Sequence, residues 1–193
     1  MTKMNDGIYL IKPGELIREG DVILYASSSV VLLDDEFPIL VDTGLKGDWG
    51  RIKRGIEEEG FRIRDIEMVI NTHLHRDHCG CNEFFDIPKY VHEMEIERLN
   101  SPHGYFPYKK EVSERIRIIE TPGHSYGHIS VVYRGKKTFV VAGDAIPRKN
   151  NYIQGIPPRI HVDRKKAVES MKMIGEIGDV IIPGHDEAME GRK

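Results

Sequence analysis

Four side chains able to bind a metal fall within the six residues His73-Leu74-His75-Arg76-Asp77-His78. His73, His75 and Asp77 lie two apart, so on an extended or tightly turning strand end they project to one side. His78 steps off that line and is available to a second ion. Imidazole nitrogens with a carboxylate suit zinc, and also iron or manganese. Three histidines and an aspartate this close together read as ligands rather than as a solvated turn. Three further candidates stand where strands give way to loops: His124 in Thr121-Pro122-Gly123-His124, Asp144 in Ala142-Gly143-Asp144, and His185 in Pro183-Gly184-His185. Each follows a glycine, which lets backbone crowd a site.

Short strands must deliver these residues. Ile8-Tyr9-Leu10-Ile11 reads as a strand closed by Pro13-Gly14. Val22 to Leu33 supplies two apolar runs broken by Ser27-Ser28-Ser29, and Phe37 to Val41 is the next strand, ending at Asp42-Thr43-Gly44. A helix follows, with Asp48 at its N-cap, Trp49, Ile52 and Ile56 at helical spacing and Gly60 as its stop. The apolar run Met68-Val69-Ile70 brings the chain to His73. A short helix is expected over Gly80 to Phe85, a strand over Pro88 to His92, a helix over Glu93 to Asn100 and a loop over Ser101 to Lys110. Downstream come a strand at Arg115 to Glu120, a hairpin of Ile129 to Tyr133 with Thr138 to Ala142, a helix capped by Asp163, and the strand Val180-Ile181-Ile182. Runs of strands with helices between the groups favour two packed sheets carrying outer helices.

The whole chain limits the choices. Its 193 residues suit a single domain over 1–193, and 39% hydrophobic with 31% charged residues reads as soluble and globular. A net charge of −3 without a long basic run argues against a surface built chiefly for a phosphate backbone. No stretch approaches the length of a membrane span, and Met1 to Asp6 lacks the apolar core of a signal peptide, so a cytoplasmic location is expected. Cys79 and Cys81 flank Gly80, a spacing that strains a disulfide. They read as small, semi-buried residues at the start of the helix after the histidine motif.

The HxHxDH stretch, followed by TPGH, AGD and PGH, resembles the metallo-β-lactamase-fold hydrolase superfamily over Asp42 to His185. The resemblance implies an α/β fold, a four-layer αββα sandwich, with a metal pair at one edge of the sheets. It implies that His73, His75 and His124 hold one ion, that Asp77, His78 and His185 hold the other, and that Asp144 bridges both. Asp42 is similar to a family aspartate that steadies a ligand, and His128 reads as a hydrogen-bonded structural histidine beside the site. Two close dications, zinc being favoured, can lower the pKa of a shared water to about 7 and so generate hydroxide. Asp77 is placed to accept its proton.

Substrate must come from the remaining residues. The glutathione-gripping helical domain of glyoxalase II does not follow His185. Pro147 stands where quorum-sensing lactonases carry a tyrosine. Length and the VVAGD and DVxxPGH wording are similar to a small, single-domain, glyoxalase II-like subgroup with a link to RNA processing. The leading expectation is hydrolysis of an ester, thioester or lactone bond in a small molecule. Phosphodiester or RNA cleavage is the alternative, followed by a mononuclear iron persulfide dioxygenase and a non-catalytic metal binder. Tyr105, Phe106 and Tyr108 are expected to bury the substrate's apolar part, and Arg148, Lys149 and Tyr152 to engage its charged part. Oligomeric state is not legible.

Overall fold

The computed structural model describes residues 2–5 and 7–192, so Met1 and Asp6, the ends of the stretch read above as lacking a leader, lie outside it. Its strands in chain order are β1 (Thr2–Asn5), β2 (Ile8–Lys12), β3 (Glu15–Glu19), β4 (Val22–Ser27), β5 (Val30–Asp34), β6 (Pro38–Val41), β7 (Met68–Ile70), β8 (Lys89–Val91), β9 (Tyr105–Pro107), β10 (Ile116–Glu120), β11 (Ile129–Arg134), β12 (Thr138–Gly143), β13 (Val180–Pro183) and β14 (Met189–Glu190). The helices are α1 (Trp49–Glu58), α2 (Arg76–Cys79), α3 (Glu93–Ile96), α4 (Lys149–Gln154) and α5 (Arg164–Ile177).

Two sheets face each other. One has the order β1-β2-β5-β6-β7-β8-β9, the other β10-β11-β12-β13-β14, and β3 pairs with β4 as a separate hairpin. Period-2 alternation sorts the apolar residues onto both faces of each sheet. Ile8, Val31, Ile39 and Val41 of the first sheet meet Ile118, Val131, Phe139 and Ile182 of the second in a shared core. The opposite face of the first sheet, with Val30, Leu32, Leu40 and Val69, is covered by Ile52 and Ile56 of α1. That of the second, with Val132, Val140 and Ile181, is covered by Met171 and Ile174 of α5. The four layers are therefore helix, sheet, sheet, helix. Each fully buried aliphatic side chain contributes about 1.5–3 kcal/mol relative to exposure.

Several elements depart from the expected boundaries. The helix placed over Gly80–Phe85 instead opens inside the histidine motif as α2, and only a 3-10 turn spans Asn82–Phe84. The helix expected to run to Asn100 is the single turn α3. The loop 101–110 contains β9, which pairs parallel to β8 at the sheet edge. Pairing with a neighbouring strand overrides the weak local signal of a Pro- and Gly-punctuated segment. At α1, Asp48 occupies the N-cap position but makes no side-chain cap bond. Its carboxylate accepts from the hydroxyls of Tyr25 and Ser27 and lies 3.9 Å from Lys12 Nζ. Asp163 does cap α5, accepting from Lys166 N at 3.0 Å. Cys79 and Cys81 are free, and burial pushes both thiols up to about 12, which keeps them protonated.

Candidate metal centre

Strand direction brings the candidate residues together. β6 is parallel to β7, and β12 is parallel to β13. β10 and β12 are each antiparallel to β11 and so run the same way. Asp42, His73, His124, Asp144 and His185 all follow the C-terminal ends of these strands, and α2 adds Asp77 and His78. Two glycines permit the crowding. A Cβ on Gly184 would strike Asp144 Oδ1, and one on Gly143, where φ is +51°, would meet Thr72 and His128.

Three overlapping clusters result: His73, His75 and His124; His73, His78 and Asp144; and Asp77, His78 and His185, each with ligand atoms within 4.8 Å of one another. Asp144 touches both ends of the array, with oxygens 3.4 Å from His124 Nε2, 3.4 Å from His78 Nε2 and 3.2 Å from His185 Nε2. Asp77 lies 3.4 Å from His185 Nε2. His75 turns Nδ1 to within 3.0 Å of His124 Nε2.

Hydrogen bonds behind the rings fix which nitrogen faces inward. His124 Nδ1 donates to Ile160 O at 2.8 Å, and His185 Nδ1 donates to Ser27 O at 3.1 Å. His78 Nδ1 donates to Asp42 at 2.8 Å, while Asp42 also accepts from the backbone N–H and hydroxyl of Thr72. Asp42 takes a left-handed φ of +55° to do so, a conformation in which Asp and Asn are among the better tolerated residues. His128 accepts the Asp144 backbone N–H at Nε2, which makes its Nδ1 a donor to Thr121. It thus holds the aspartate's backbone without entering a cluster.

Burial disfavours charge on His73, His75 and His128, and neighbouring imidazoles add to that, so all three sit below the usual histidine range. Burial opposes charge on His78 and His185 too, but Asp42 and Asp144 outweigh it at His78, and Asp144 does so at His185. Asp144 is held well below the carboxylate range because His185, His124 and His78 overcome its own burial. Ligation needs neutral imidazoles and ionised carboxylates, so a cation competes with these protons. The polar atoms fit a cation. Nε2 of His73, Nε2 of His78 and Oδ1 of Asp144 are buried without a hydrogen-bond partner. Orphans of this kind cost about 1–3 kcal/mol each unless something satisfies them.

A sequence profile of the Metallo-beta-lactamase superfamily matches residues 22–114. The chain is 42% identical to Probable metallo-hydrolase MJ0296 of Methanocaldococcus jannaschii, over 93% of this chain and 86% of that protein. It is 30% identical to Metallo-beta-lactamase domain-containing protein 1 of Xenopus laevis, over 92% of this chain and 78% of the relative. The chain belongs to the metallo-β-lactamase superfamily. A structure of an N-acyl homoserine lactone hydrolase with N-hexanoyl-L-homoserine bound superposes with a TM-score of 0.75 at 24% identity, covering 93% of each chain, and shares the fold of this superfamily member. Relatives named metallo-hydrolases and lactonases make the chain an enzyme of the metallo-hydrolase kind.

Beside the clusters of this superfamily site opens a cavity of about 370 Å³. His75, Asp77, His124, Asp144 and His185 form its floor; Leu16, Ile23, Leu24, Leu45, Pro147 and Ile160 supply apolar wall; Arg18, Arg76 and Arg159 add charge. None of the six residues expected to touch substrate lines it. Tyr105 bonds to Asn82 and Tyr108 to Glu120, both near the β8–β9 edge, and Phe106 is exposed there. Arg148 is the exposed N-cap of α4, Lys149 Nζ lies 3.9 Å from Asp186 and 3.5 Å from Glu187, and Tyr152 packs beside Gly175 and under Arg192. The helix α4 carries this trio away from the floor. The residues missed are those of the β3–β4 hairpin. Their signal was the alternation Leu16, Arg18 against Ile17, Glu19, separated from an apolar strand by Gly20-Asp21.

Proposed function

We propose that the protein is a dinuclear metallo-hydrolase that cleaves an ester, thioester or lactone bond in a small substrate. The observation that carries this reading is the continuous set of seven side chains, five of which line one largely apolar cavity while His73 and His78 are fully buried. His73, His75 and His124 would hold one divalent cation, Asp77, His78 and His185 the second, and Asp144 would join the two; zinc suits this nitrogen and oxygen set. Bound there, the cations supply Lewis acidity and make a nucleophile available from water near neutral pH.

The chain's own groups do the rest. Leu16, Leu24 and Ile160 bury the apolar part of a substrate and exclude water around the scissile carbonyl. Asp77, with a side chain 22% exposed, is the acidic ligand most open to solvent and serves as proton acceptor. Asp42 and His128 hold His78 and Asp144 in place. A cavity of this size lies at the small end of ligand pockets, which supports a small substrate. A second reading, phosphodiester cleavage, draws support from Arg18, Arg76 and Arg159 in its wall.

The test is metal analysis of protein purified without added metal, followed by turnover of thioesters, lactones and phosphodiesters at low and moderate salt. Two ions per chain are expected, with acyl turnover that changes little with salt. Charge reversal at Lys136 and Lys137 should leave it unchanged, because that hairpin tip lies at the end of β12 opposite Asp144. Cleavage of single-stranded RNA with steep salt dependence, alongside inert thioesters and lactones, would give the choice to the phosphodiesterase.

A further inference from the structure

The wall of the cavity formed by β3 and β4 carries a cation without a counter-charge. Along β3, Ile17 and Glu19 face solvent while Leu16 and Arg18 turn inward and line the cavity. Arg18 Nε is buried and has no hydrogen-bond partner, and no ion pair among the described residues engages its guanidinium. The other arginines nearby differ. Arg159 is paired with Asp21 at 2.6 Å, Arg51 is paired with Glu15, and Arg76 is exposed.

A guanidinium donor withdrawn from water is costly unless it meets an acceptor. The carboxylates in the cavity, Asp77 and Asp144, already belong to the histidine clusters. With two divalent cations bound, the cavity carries an excess of positive charge to which Arg18 adds. An anion from outside the chain would relieve both the unmet donor and the charge excess.

Resting on the hydrolase reading above, we propose that Arg18 determines specificity by binding an oxyanion on the acyl part of the substrate, apart from the scissile carbonyl. The substrate class is then a short acyl thioester or ester ending in a carboxylate or a phosphate-like group. The guanidinium fork offers two parallel N–H donors to such a group. Leu16 and Leu24 flank it and accept the intervening methylenes. A cavity of about 370 Å³ suits a short chain capped by charge better than a long acyl tail. In the reaction a C–O bond forms to water and the carbonyl–sulfur bond breaks. One proton of the water passes to the leaving thiol, and the other passes to solvent from the new acid.

The test compares three thioesters of one thiol, carrying 3-carboxypropanoyl, 3-phosphonopropanoyl and pentanoyl groups, on the metal-loaded chain and on Arg18→Met and Arg18→Lys. The wild type should prefer one of the anionic substrates over the neutral one by about thirtyfold in kcat/KM, chiefly through KM. Whichever anionic arm leads names the oxyanion. In Arg18→Met that preference should collapse toward unity, and Arg18→Lys should restore part of it. Calorimetry with the non-hydrolysable 3-carboxypropanoyl and 3-phosphonopropanoyl amides reads the same contact without chemistry, and the preferred one should bind at least tenfold more weakly to Arg18→Met. A wild type indifferent to the charge, or a preference that survives Arg18→Met, overturns the role of Arg18 and leaves the hydrolase standing. Equal binding of both amides to wild type and Arg18→Met overturns that role whatever the turnover. Inert thioesters on protein carrying two ions, with an amide still bound through Arg18, sink the thioester hydrolase reading instead.

Discussion

Asp42 lies in none of the clusters, yet on the proposed two-ion site Asp42→Asn is expected to weaken the ion that His78 would hold. The carboxylate is 1% exposed and accepts three hydrogen bonds of 2.8 Å, from Thr72 N, Thr72 Oγ1 and His78 Nδ1. Asparagine fills the same volume and tolerates the φ of +55°. It can keep its oxygen on the Thr72 N–H, and Thr72 Oγ1 can reverse to accept from the new amide. His78 cannot be accommodated in the same way. An amide N–H aimed at Nδ1 forces that nitrogen to accept, which moves the ring proton to Nε2, the atom that faces Asp144. The second ion should then bind 10–100-fold more weakly, the usual loss when such a partner is removed. Folding stability without metal should fall by only about 1 kcal/mol. Asp42→Ala behaves differently, since it strands the Thr72 N–H and the His78 Nδ1–H in the interior. At about 1–3 kcal/mol per orphan it should lose about 4 kcal/mol, a large share of the 5–15 kcal/mol typical of a domain. Competition with a chromophoric chelator measures the affinity, and urea melts of metal-free protein measure the stability. If Asp42→Asn binds the second ion within threefold of wild type, the hydrogen bond to His78 does not set its tautomer and the reasoning fails.

Two further outcomes follow from buried contacts. Lys12 is fully buried, and desolvation, only partly offset by Asp48, lowers its pKa from 10.5 to about 8. Below pH 8 both folded and unfolded chains carry the proton and the burial penalty stands. Between about 8 and 10.5 the unfolded chain binds more protons, so stability rises with pH, by up to about 3 kcal/mol. Urea melts across pH 7–10 should show wild type gaining stability relative to Lys12→Met as pH rises, a difference in which the opposing ionisation of Cys79 and Cys81 in the unfolded chain cancels; parallel curves would refute it. Gly184→Ala places a methyl group against Asp144 Oδ1 and the Gly143 backbone. It should lower metal content and cost about 1–3 kcal/mol in chemical denaturation, and a variant with full metal content would show that β13 can yield at its end.

The clusters were legible because four members fall within six residues and the other three each follow a glycine shortly after a strand. The two-sheet sandwich was legible from apolar runs joined by polar turns, such as Ile129–Tyr133 and Thr138–Ala142, which form β11 and β12. The cavity wall was not. Glu15–Glu19 contains two charged ends and a mid-strand arginine, and although Gly20-Asp21 marks a turn into β4, nothing local says that the hairpin folds over the clusters. Arg159 belongs to the same class, since Asp21 reaches it across 138 residues of chain. Conversely, the aromatic run at Tyr105–Tyr108 has the composition of a substrate lip, but parallel pairing with β8 draws it to a sheet edge. Spacing encodes what lies within one turn or one strand; long-range pairing decides what faces what.

The histidine array spans both sheets, and this bears on how the protein is made. His73 to His78 emerge from the ribosome about a hundred residues before His185. At usual synthesis rates of about 5–20 residues per second, that gap lasts roughly 5–20 s. Over that interval the first motif is a partial set of candidate ligands, with Asp144 made only part-way through and His185 last. High-affinity capture must wait until β12 and β13 pair and bring the second set of ligands across. On the proposed ligand set, tight metal retention thus becomes a late event that follows docking of the sheets.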